Sequence, residues 1–377
     1  MPNIYISAGE ASGDLLGANL ASALLQRNPN LHLTGMGGKK MKAAGVSLQF
    51  DSDTFALMGV VEIVKHLPRI LRTLHHIKKY LRQTKPDLVI LIDLPDTHFR
   101  IMKMAKKYHI PVLYYVSPQL WAWRSGRIQQ IQQYVDHMAV LFSFEKKIYD
   151  DAKVPATFVG HPLADIAKPT LNKSDSYDLF GLNTTDPVVA LFPGSRRSEM
   201  ATHLSLIIDS AEKIKEKNPS AQFVLALAPH FNFDDIRKMI PSYIKIVQNH
   251  LYDLLQITHA AIAVSGTVTL EIGLLQVPLC IIYKCNRVTF WILQKLVRLK
   301  NIGLCNIVAE KIIAKEFIQD AATPDAIASE IITILSDATY SEKIKNELSV
   351  LREKIESDQN ASEKVAGIAM RLLTPSL

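Results

Sequence analysis

Short runs of apolar residues alternate along most of the chain with segments whose apolar residues recur every three or four positions. The runs of the first half read "NIYISAG", "LHLTGMG", "DLVILIDLP", "PVLYYVSP", "HMAVLFSF" and "ATFVGHP". Those of the second half read "PVVALFPGS", "QFVLALAP", "IKIVQN", "AAIAVSG" and "PLCIIYK". Continuous apolar strands separated by helices are typical of a parallel sheet that helices cover on both faces. From about residue 286 onward we find only helical patterns, and we predict no strand there.

The alternation stops once, at a polar segment rich in Pro, Ser, Asp and Asn that covers residues 165–187. A chain of 377 residues has the length of two ordinary domains, and we interpret this segment as the linker between them. We predict an α/β protein with two doubly wound Rossmann-like domains, residues 1–168 and 169–345, that face each other across a cleft. C-terminal helices in residues 346–377 are expected to pack back on an N-terminal domain, either their own or that of a partner. Ligands should bind at the carboxyl ends of the strands.

Composition narrows the class of protein. Lys and Arg exceed Asp and Glu by 43 to 36, a net charge of +7 that suits an anionic ligand or an anionic membrane surface and is too small to indicate nucleic acid. The three cysteines form no CxxC pair, which favours free thiols in a reducing compartment. Because the chain starts on a strand pattern and has no run of about 18 apolar residues, we expect a cytoplasmic protein without a transmembrane span.

The first candidate site follows the first strand, in the segment "SAGEASGDLLGA". Its glycines allow a tight turn, Ser12 can cap a helix that we predict to begin at Asp14, and Gly13 lies between them. The acidic side chains of Glu10 and Asp14 argue against a phosphate here, and a hydroxyl or a sugar suits the turn better. An ordinary capped strand-to-helix turn explains the same residues.

The second candidate site follows the third apolar run, in "LIDLPDTHFR". Asp93 ends a wholly apolar strand, where a carboxylate is costly unless it is solvated or paired, so we expect it to face the cleft. Asp96 can act in the same site or cap the next helix. His98 is interpreted as a bystander.

The third candidate site, "LFPGSRRSEM", places Ser195, Arg196 and Arg197 between a strand and a helix. Backbone N–H groups, a helix dipole and guanidinium groups together favour an anion. The two arginines can equally be solvated surface charges.

In the fourth candidate site, "AVSGTVTLEIG", three small residues precede a helix and can bind a diphosphate, while the later Glu271 can accept from a diol such as ribose. These small residues are Ser265, Gly266 and Thr267.

Two basic amphipathic segments, residues 60–82 and 287–300, combine apolar residues at helical spacing with several Lys and Arg side chains. Such a helix can lie on an anionic membrane or line an acyl groove, and an ordinary helix with a solvated basic face fits the pattern equally well.

In "YVSPQLWAWRSG", Trp121, Trp123 and Arg124 follow a predicted strand. The indoles can cover sugar rings or acyl methylenes, the guanidinium can meet a phosphate, and core packing of one indole is the alternative.

Taken together, the clusters resemble the lipid-A-disaccharide synthase family over essentially the whole chain. The resemblance rests on "SAGEASGD", "MGVVE", "IDLPD", "YVSPQLWAWR", "FVGHPLAD", "LFPGSR" and "SGTVTLE", which occur in the family's order. It implies an inverting glycosyltransferase of the two-domain GT-B fold, with an acceptor-binding first domain and a UDP-sugar-binding second domain. The implied reaction joins UDP-2,3-diacylglucosamine to 2,3-diacylglucosamine 1-phosphate (lipid X) in a β(1→6) disaccharide and releases UDP.

The resemblance also implies roles for particular residues. Asp93 matches the general base, although Asp96 remains an alternative, and Arg196 matches an essential arginine. Nucleotide contacts are implied for Glu271 and Asn306, and for the backbone at His250 and Leu251. The chain departs from the family where Cys305 and Lys315 replace two prolines.

No metal ion and no other cofactor are implied, and family members are peripheral on the cytoplasmic face of the inner membrane. The sequence leaves open whether the chain forms a homodimer. The nearest alternative is another GT-B enzyme, a UDP-N-acetylglucosamine transferase or epimerase that acts on a soluble sugar and does not depend on lipid. Phosphate-loop, nucleophile-elbow and zinc-helix motifs are missing from the sequence, and "GMGG" lacks the third glycine of a dinucleotide fingerprint.

Overall fold

The protein was analysed as a computed structural model, which describes residues 1–9, 11–51, 60–120, 125–287, 290–291 and 300–373. Contacts divide the chain into two units. The first unit comprises Met1–Pro162 together with Ser357–Leu377, and the second comprises Leu163–Glu356.

The first unit contains a seven-stranded parallel sheet in the order β3-β2-β1-β4-β5-β6-β7. Its strands are β1 (Asn3–Ala8), β2 (His32–Gly37), β3 (Ser47–Asp51), β4 (Leu88–Ile92), β5 (Val112–Tyr115), β6 (His137–Val140) and β7 (Ala156–Phe158). The helices between them are α1 (Ala11–Arg27), α2 (Lys39–Ala43), α3 (Val60–Thr84), α4 (Pro95–Lys107), α5 (Ile128–Tyr134) and α6 (Ser143–Asp151).

The second unit contains a six-stranded parallel sheet in the order β10-β9-β8-β11-β12-β13. Its strands are β8 (Val188–Phe192), β9 (Gln222–Ala226), β10 (Ile244–Val247), β11 (Ala260–Val264), β12 (Leu279–Tyr283) and β13 (Lys315–Ile318). Its helices are α7 (Leu163–Ile166), α8 (Lys173–Phe180), α9 (Arg197–Lys217), α10 (Phe233–Arg237), α11 (Leu251–Leu255), α12 (Val268–Leu274), α13 (Leu304–Ala309), α14 (Pro324–Ser336) and α15 (Ala338–Ile355).

The central strands explain why the apolar runs were recognisable. Every residue of β4, β8 and β11 is buried, since helices cover both faces of each sheet. In each sheet, the strand order reverses between two central neighbours: β1 and β4 in the first, β8 and β11 in the second. Ligands of open α/β sheets bind outside the carboxyl ends of such a pair.

The two strands that the sequence analysis missed are both sheet edges. β3 was not predicted, and β13 lies in the region where only helical patterns were recognised, so the prediction that no strand follows residue 286 was wrong. An edge strand pairs on one side only and keeps polar residues, as "SLQFD" and "KEFI" do. Neither segment therefore forms a continuous apolar run.

The unit boundaries lie close to the predicted domain limits without coinciding with them. The first boundary falls between residues 162 and 163, and the segment predicted as a linker contains α8. The last helix, α16 (Ala361–Leu373), packs against α1 of the same chain, and Arg27 forms an ion pair with Glu363 (2.9 Å). α15, in contrast, belongs to the second unit and packs against α12 and α13.

Candidate functional site

A cavity of about 500 Å³ opens in the second unit at the carboxyl ends of its central strands. The last residues of four strands line it: Phe192, Ala226, Val247 and Val264. All but one of the residues predicted to contact UDP also line it, namely Ser195, Arg196, His250, Leu251, Ser265, Gly266, Thr267 and Glu271. The cavity lies where the sheet order reverses between β8 and β11, as expected for a ligand site of this architecture.

The loop between β8 and α9 forms one wall of the cavity, and a carboxylate that was not predicted holds it in place. Glu199 accepts hydrogen bonds from the backbone N–H groups of Ser195 (2.9 Å) and Arg196 (3.1 Å) and from Nη1 of Arg196 (3.0 Å). Gly194 has a φ of 103°, and a Cβ atom there would lie 2.5 Å from Cβ of Glu199. The backbone N–H groups of Ser195 and Arg196, which were predicted to bind an anion, therefore already donate to Glu199.

The guanidinium of Arg196 is the part of this loop that extends into solvent. Its side chain is 81% exposed, whereas that of Glu199 is 18% exposed. A guanidinium has five N–H donors in a planar fork, and Glu199 accepts from one nitrogen of Arg196. The contact therefore tethers Arg196 at one edge, while further donors of the same group can meet an anion.

The turn after β11 forms another wall. Gly266 and Thr267 are exposed, and no atom lies within 4 Å of the position that a Cβ on Gly266 would take. The hydroxyl of Ser265 donates to the carbonyl of Ile302 (2.7 Å), and Thr269 Oγ1 accepts from the N–H of Leu304 (3.0 Å). The segment before α13 thus supports this turn from behind and leaves its outer side open.

Glu271 lies one helical turn further on, and a tyrosine orients it. Tyr252 donates its hydroxyl hydrogen to Oε1 of Glu271 (2.8 Å). Burial raises the pKa of Glu271 above its ordinary value, and the bond from Tyr252 acts in the opposite direction. With one oxygen held by Tyr252, the other is left to accept from a ligand hydroxyl.

His250 and Leu251 begin α11 at the rim of the cavity. His250 is left-handed (φ 59°), and its Nδ1 lies 3.1 Å from Oδ2 of the buried Asp253. Asp253 also accepts from the N–H of Thr170 (2.6 Å), from its hydroxyl (2.8 Å) and from the N–H of Leu171 (2.8 Å). Burial alone would raise the pKa of Asp253, but these hydrogen bonds outweigh it and lower the pKa.

Asn306 is the one predicted UDP contact that does not line this cavity. Its side chain is fully buried, and Nδ2 donates to the carbonyl of Ala314 (2.8 Å) and to Oε1 of Glu316 (2.9 Å). Oδ1 accepts from the N–H groups of Ile313 (2.8 Å) and Ala314 (3.0 Å). All the hydrogen-bonding capacity of the amide is used inside the protein. The amide thus connects α13 to the segment from Ile313 to Glu316.

In the first unit, Asp93 follows β4, beside the end of β1. The residue is half-buried, and both Asp93 (φ 56°) and Leu94 (φ 49°) are left-handed. Asp96 lies in the first turn of α4, and its exposed carboxylate forms an ion pair with Arg127 Nη2 (2.6 Å). Of the two candidate bases, Asp93 lies directly at the strand end, and Asp96 lies in the first turn of the helix that follows.

The residues predicted to bind the acceptor fall into two groups. α1 begins at Ala11 rather than at the predicted Asp14. The carboxylate of Asp14 caps α2 instead: it accepts from the N–H groups of Gly38 (2.7 Å), Lys40 (3.0 Å) and Met41 (3.1 Å). Ser12 is exposed and Gly13 is buried in the first turn of α1. The other predicted residues lie outside the described part of the chain: Glu10, Trp121, Trp123 and Arg124.

Two absences concern the described residues alone. Within them, no group of three or more His, Cys, Asp or Glu side chains is arranged to hold a metal ion. No helix in these ranges combines the length and the apolar character that crossing a membrane requires.

Three residues that hold the walls of the cavity were not predicted: Glu199, which lines it, and Tyr252 and Asp253, which bond to the lining residues Glu271 and His250. A signal for Glu199 was present, because a Glu three residues after a helix N-cap is the capping-box pattern, and Arg196 is the N-cap of α9. Tyr252 bonds to Glu271, 19 positions away in sequence, and Asp253 bonds to Thr170, 83 positions away. No local sequence pattern reveals such pairs.

Comparisons with known proteins agree with this architecture. A family model described as lipid-A-disaccharide synthetase matches residues 4–370. The chain is 46% identical over 371 residues to the lipid-A-disaccharide synthase of Coxiella burnetii (strain Dugway 5J108-111), with 98% of both chains covered. It is 43% identical over 373 residues to the enzyme of Geobacter sulfurreducens, with 98% of this chain and 97% of the relative covered.

Among solved structures, the chain resembles UDP-GlcNAc 2-epimerase from Neisseria meningitidis bound to UDP-GlcNAc, with a TM-score of 0.63, 14% identity and 99% of both chains covered. A likeness at this identity concerns the fold alone. With the two parallel sheets, it confirms the predicted fold class, a GT-B protein with two Rossmann-like domains.

Proposed function

The chain belongs to the lipid-A-disaccharide synthase family, and from this premise we propose how its residues divide the work of the reaction. The protein is a glycosyltransferase of lipid A biosynthesis. The donor is UDP-2,3-diacylglucosamine, the acceptor is 2,3-diacylglucosamine 1-phosphate, and the products are the β(1→6) disaccharide 1-phosphate and UDP.

The cavity of the second unit holds the UDP part of the donor. The observation that supports this most strongly is that eight residues chosen from sequence, spread over three separate segments, line one cavity of about 500 Å³. Glu271 accepts from the ribose hydroxyls with the oxygen that Tyr252 does not occupy. Arg196 and the open turn at Gly266 and Thr267 meet the diphosphate, whose negative charge the guanidinium offsets.

The first unit binds the acceptor and removes its proton. The 6-hydroxyl oxygen of the acceptor attacks the anomeric carbon of the donor while the bond from that carbon to the phosphate oxygen breaks. The hydroxyl proton passes to the carboxylate of Asp93, and the bonding electron pair leaves with UDP. A single in-line displacement inverts the anomeric carbon and gives the β linkage. Ser12, Gly13 and the segment containing Trp121, Trp123 and Arg124 contact the acceptor.

Mass spectrometry tests the substrates directly. The purified protein is incubated with both substrates, and the disaccharide 1-phosphate and UDP are expected in equal amounts. A parallel incubation replaces the donor by UDP-N-acetylglucosamine, which lacks the acyl chains. Release of UDP or epimerisation with this soluble sugar nucleotide, with no disaccharide from the acylated donor, would replace the proposal by the alternative enzyme of the same fold.

The protein acts on the cytoplasmic face of the inner membrane, where α3 meets anionic lipid. Leu74, Ile77 and Leu81 of this helix are buried, while Leu71 is 51% exposed. Six exposed side chains that follow Leu71 on α3 are basic or imidazole groups, namely Arg72, His75, His76, Lys78, Lys79 and Arg82. Residues 63–86 contain no Asp or Glu. A basic surface with an exposed leucine suits an anionic bilayer.

Vesicle sedimentation tests this surface. Binding to vesicles that contain phosphatidylglycerol should exceed binding to pure phosphatidylcholine vesicles. The double variant Arg72→Glu/Lys79→Glu should weaken anionic binding by at least about tenfold, since each basic residue contributes about 1 kcal/mol. Lys343→Glu, an exposed position on α15, is the control and should bind as the wild type does. Equal binding of wild type to both kinds of vesicle would contradict the proposal.

A further inference from the structure

The turn after β4 is strained at the very residue to which we assign the base. Asp93 and Leu94 are consecutive residues with positive φ, and neither is glycine. L-residues rarely adopt this backbone region, because Cβ approaches the carbonyl oxygen. Two such residues in succession persist only where the surrounding structure holds them.

Two buried side chains hold the carbonyl oxygen of Asp93. Tyr114, on the neighbouring strand β5, donates its hydroxyl hydrogen to this oxygen (3.0 Å). Nδ1 of His98, one turn into α4, lies within hydrogen-bonding distance of the same oxygen. Both side chains are buried, so the carbonyl is fixed from two different elements.

A third side chain sets the orientation of the imidazole. Oγ of Ser7, on β1, lies 2.9 Å from Nε2 of His98. Burial lowers the pKa of His98 to about 3, so the ring is neutral and carries one N–H. A carbonyl can only accept, which places the hydrogen on Nδ1 toward Asp93, and Nε2 then accepts from the hydroxyl of Ser7.

The hydrogen bonds thus connect three adjacent strands at one end of the sheet. Ser7 belongs to β1, Asp93 follows β4, and Tyr114 belongs to β5. The side chain of Leu94 also lies directly over the backbone of Gly9, in the space that a Cβ atom would need. The backbone at Asp93 therefore has little freedom to move relative to the end of β1.

We propose that Ser7, His98 and Tyr114 are positioning residues that fix the backbone of Asp93 and so aim its carboxylate at the acceptor hydroxyl. This inference rests on the proposed role of Asp93 as the base. None of the three side chains needs to touch a substrate, since each acts through the Asp93 carbonyl. A displacement of about 1 Å at a reacting group can cost about 10²-fold in rate.

His98→Phe is the principal variant, because it keeps a ring of similar size and removes the donor to Asp93. We expect kcat to fall by about 10- to 100-fold, with an unchanged Kd for UDP, which binds in the other unit. His98→Asn should recover most of the rate, because its amide nitrogen can take the place of Nδ1. Tyr114→Phe removes the second donor with minimal change of shape, and it serves if His98→Phe unfolds.

A control and a double-mutant cycle separate positioning from general stability. His137→Phe removes a comparable bond, from Nε2 to Thr157 Oγ1 (2.8 Å), at the start of β6, and should leave kcat unchanged. In the Asp93→Asn background, His98→Phe should lower the residual rate no further, because His98 acts only through the Asp93 carboxylate, which that variant already lacks.

The outcomes are distinct. If Asp93→Asn retains the wild-type rate, the assignment of the base fails. Suppose instead that Asp93→Asn is strongly slowed, as expected. If His98→Phe and Tyr114→Phe then keep wild-type kcat, or lower the residual rate of Asp93→Asn by the same factor as in the wild type, the positioning role alone is overturned.

Discussion

The turns after β4 and β11 occupy equivalent places in their sheets, each at the fourth strand from the edge, and they are built in opposite ways. After β4, two left-handed non-glycine residues are held by buried hydrogen bonds. After β11, Gly266 is exposed, with no atom near the position of a Cβ. A strained turn that aims one carboxylate suits a proton transfer, whereas an open turn suits a ligand that must enter and leave.

The largest effect should come from the carboxylate of the strained turn. Asp93→Asn keeps a residue that tolerates left-handed backbone and removes the base, so kcat should fall by about 10²–10⁴-fold. The Kd for UDP should not change. Asp96→Asn is the matched variant three residues away, and its kcat should stay within a few-fold of wild type. Steady-state kinetics would contradict the comparison if Asp96→Asn were the more damaged of the two.

On the open side, Arg196→Ala should give the next largest effect. Loss of a group that stabilises the leaving diphosphate costs about 3–4 kcal/mol, or about 10²–10³-fold in kcat. UDP should also bind more weakly. Arg197→Ala removes the neighbouring exposed guanidinium, which does not line the cavity, and should retain nearly full activity. Similar losses in both variants would indicate a general charge effect instead.

A smaller effect is expected from Tyr252→Phe. Losing its bond to Glu271 should weaken UDP binding by up to about tenfold, since such bonds contribute about 0.5–1.5 kcal/mol. An ionised Glu271 accepts from the ribose hydroxyls more strongly than a protonated one, and burial raises its pKa, so affinity should fall as the pH falls through that raised value. Because the Tyr252 bond lowers the pKa, the fall should begin at higher pH in the variant. Calorimetric titration between pH 5 and 8 checks this, with Tyr177→Phe as the control outside the cavity.

The smallest effect concerns stability and sharpens the contrast between the turns. Relief of left-handed strain in Asp93→Gly is worth about 1–2 kcal/mol, more than the roughly 0.5–1 kcal/mol that the flexibility of glycine costs. The free energy of unfolding should therefore stay equal or rise by about 1 kcal/mol while activity is lost. Urea denaturation measures this, and a loss of more than about 1 kcal/mol would show that the turn is not strained.

The central strands and most of the cavity could be predicted from the sequence, because buried parallel strands form continuous apolar runs and polar residues directly after them stand out. β4 with Asp93 and β11 with Ser265 are examples. The edge strands β3 and β13 could not be predicted in this way, since their one-sided pairing allows polar residues. The helical pattern at the end of the chain likewise did not reveal that α15 and α16 belong to different units.

Polar residues whose partners belong to the protein itself were the least predictable. Asp14 looked like a ligand contact and caps α2, while Asn306 looked like a nucleotide contact and bonds entirely to its own segment. His98 was interpreted as a bystander, and its bond to the Asp93 carbonyl became visible only in three dimensions. A polar residue in an apolar region indicates that it has a hydrogen-bonding partner. The residue type does not reveal whether that partner is a ligand or the protein backbone.

A crystal structure with UDP tests the central claim most directly. We predict the ribose hydroxyls at Glu271, the diphosphate beside Arg196 and the turn at Gly266, and the whole nucleotide within the second unit. UDP bound away from both Arg196 and Glu271, or held at the turn of Asp93, would contradict the division of labour between the two units.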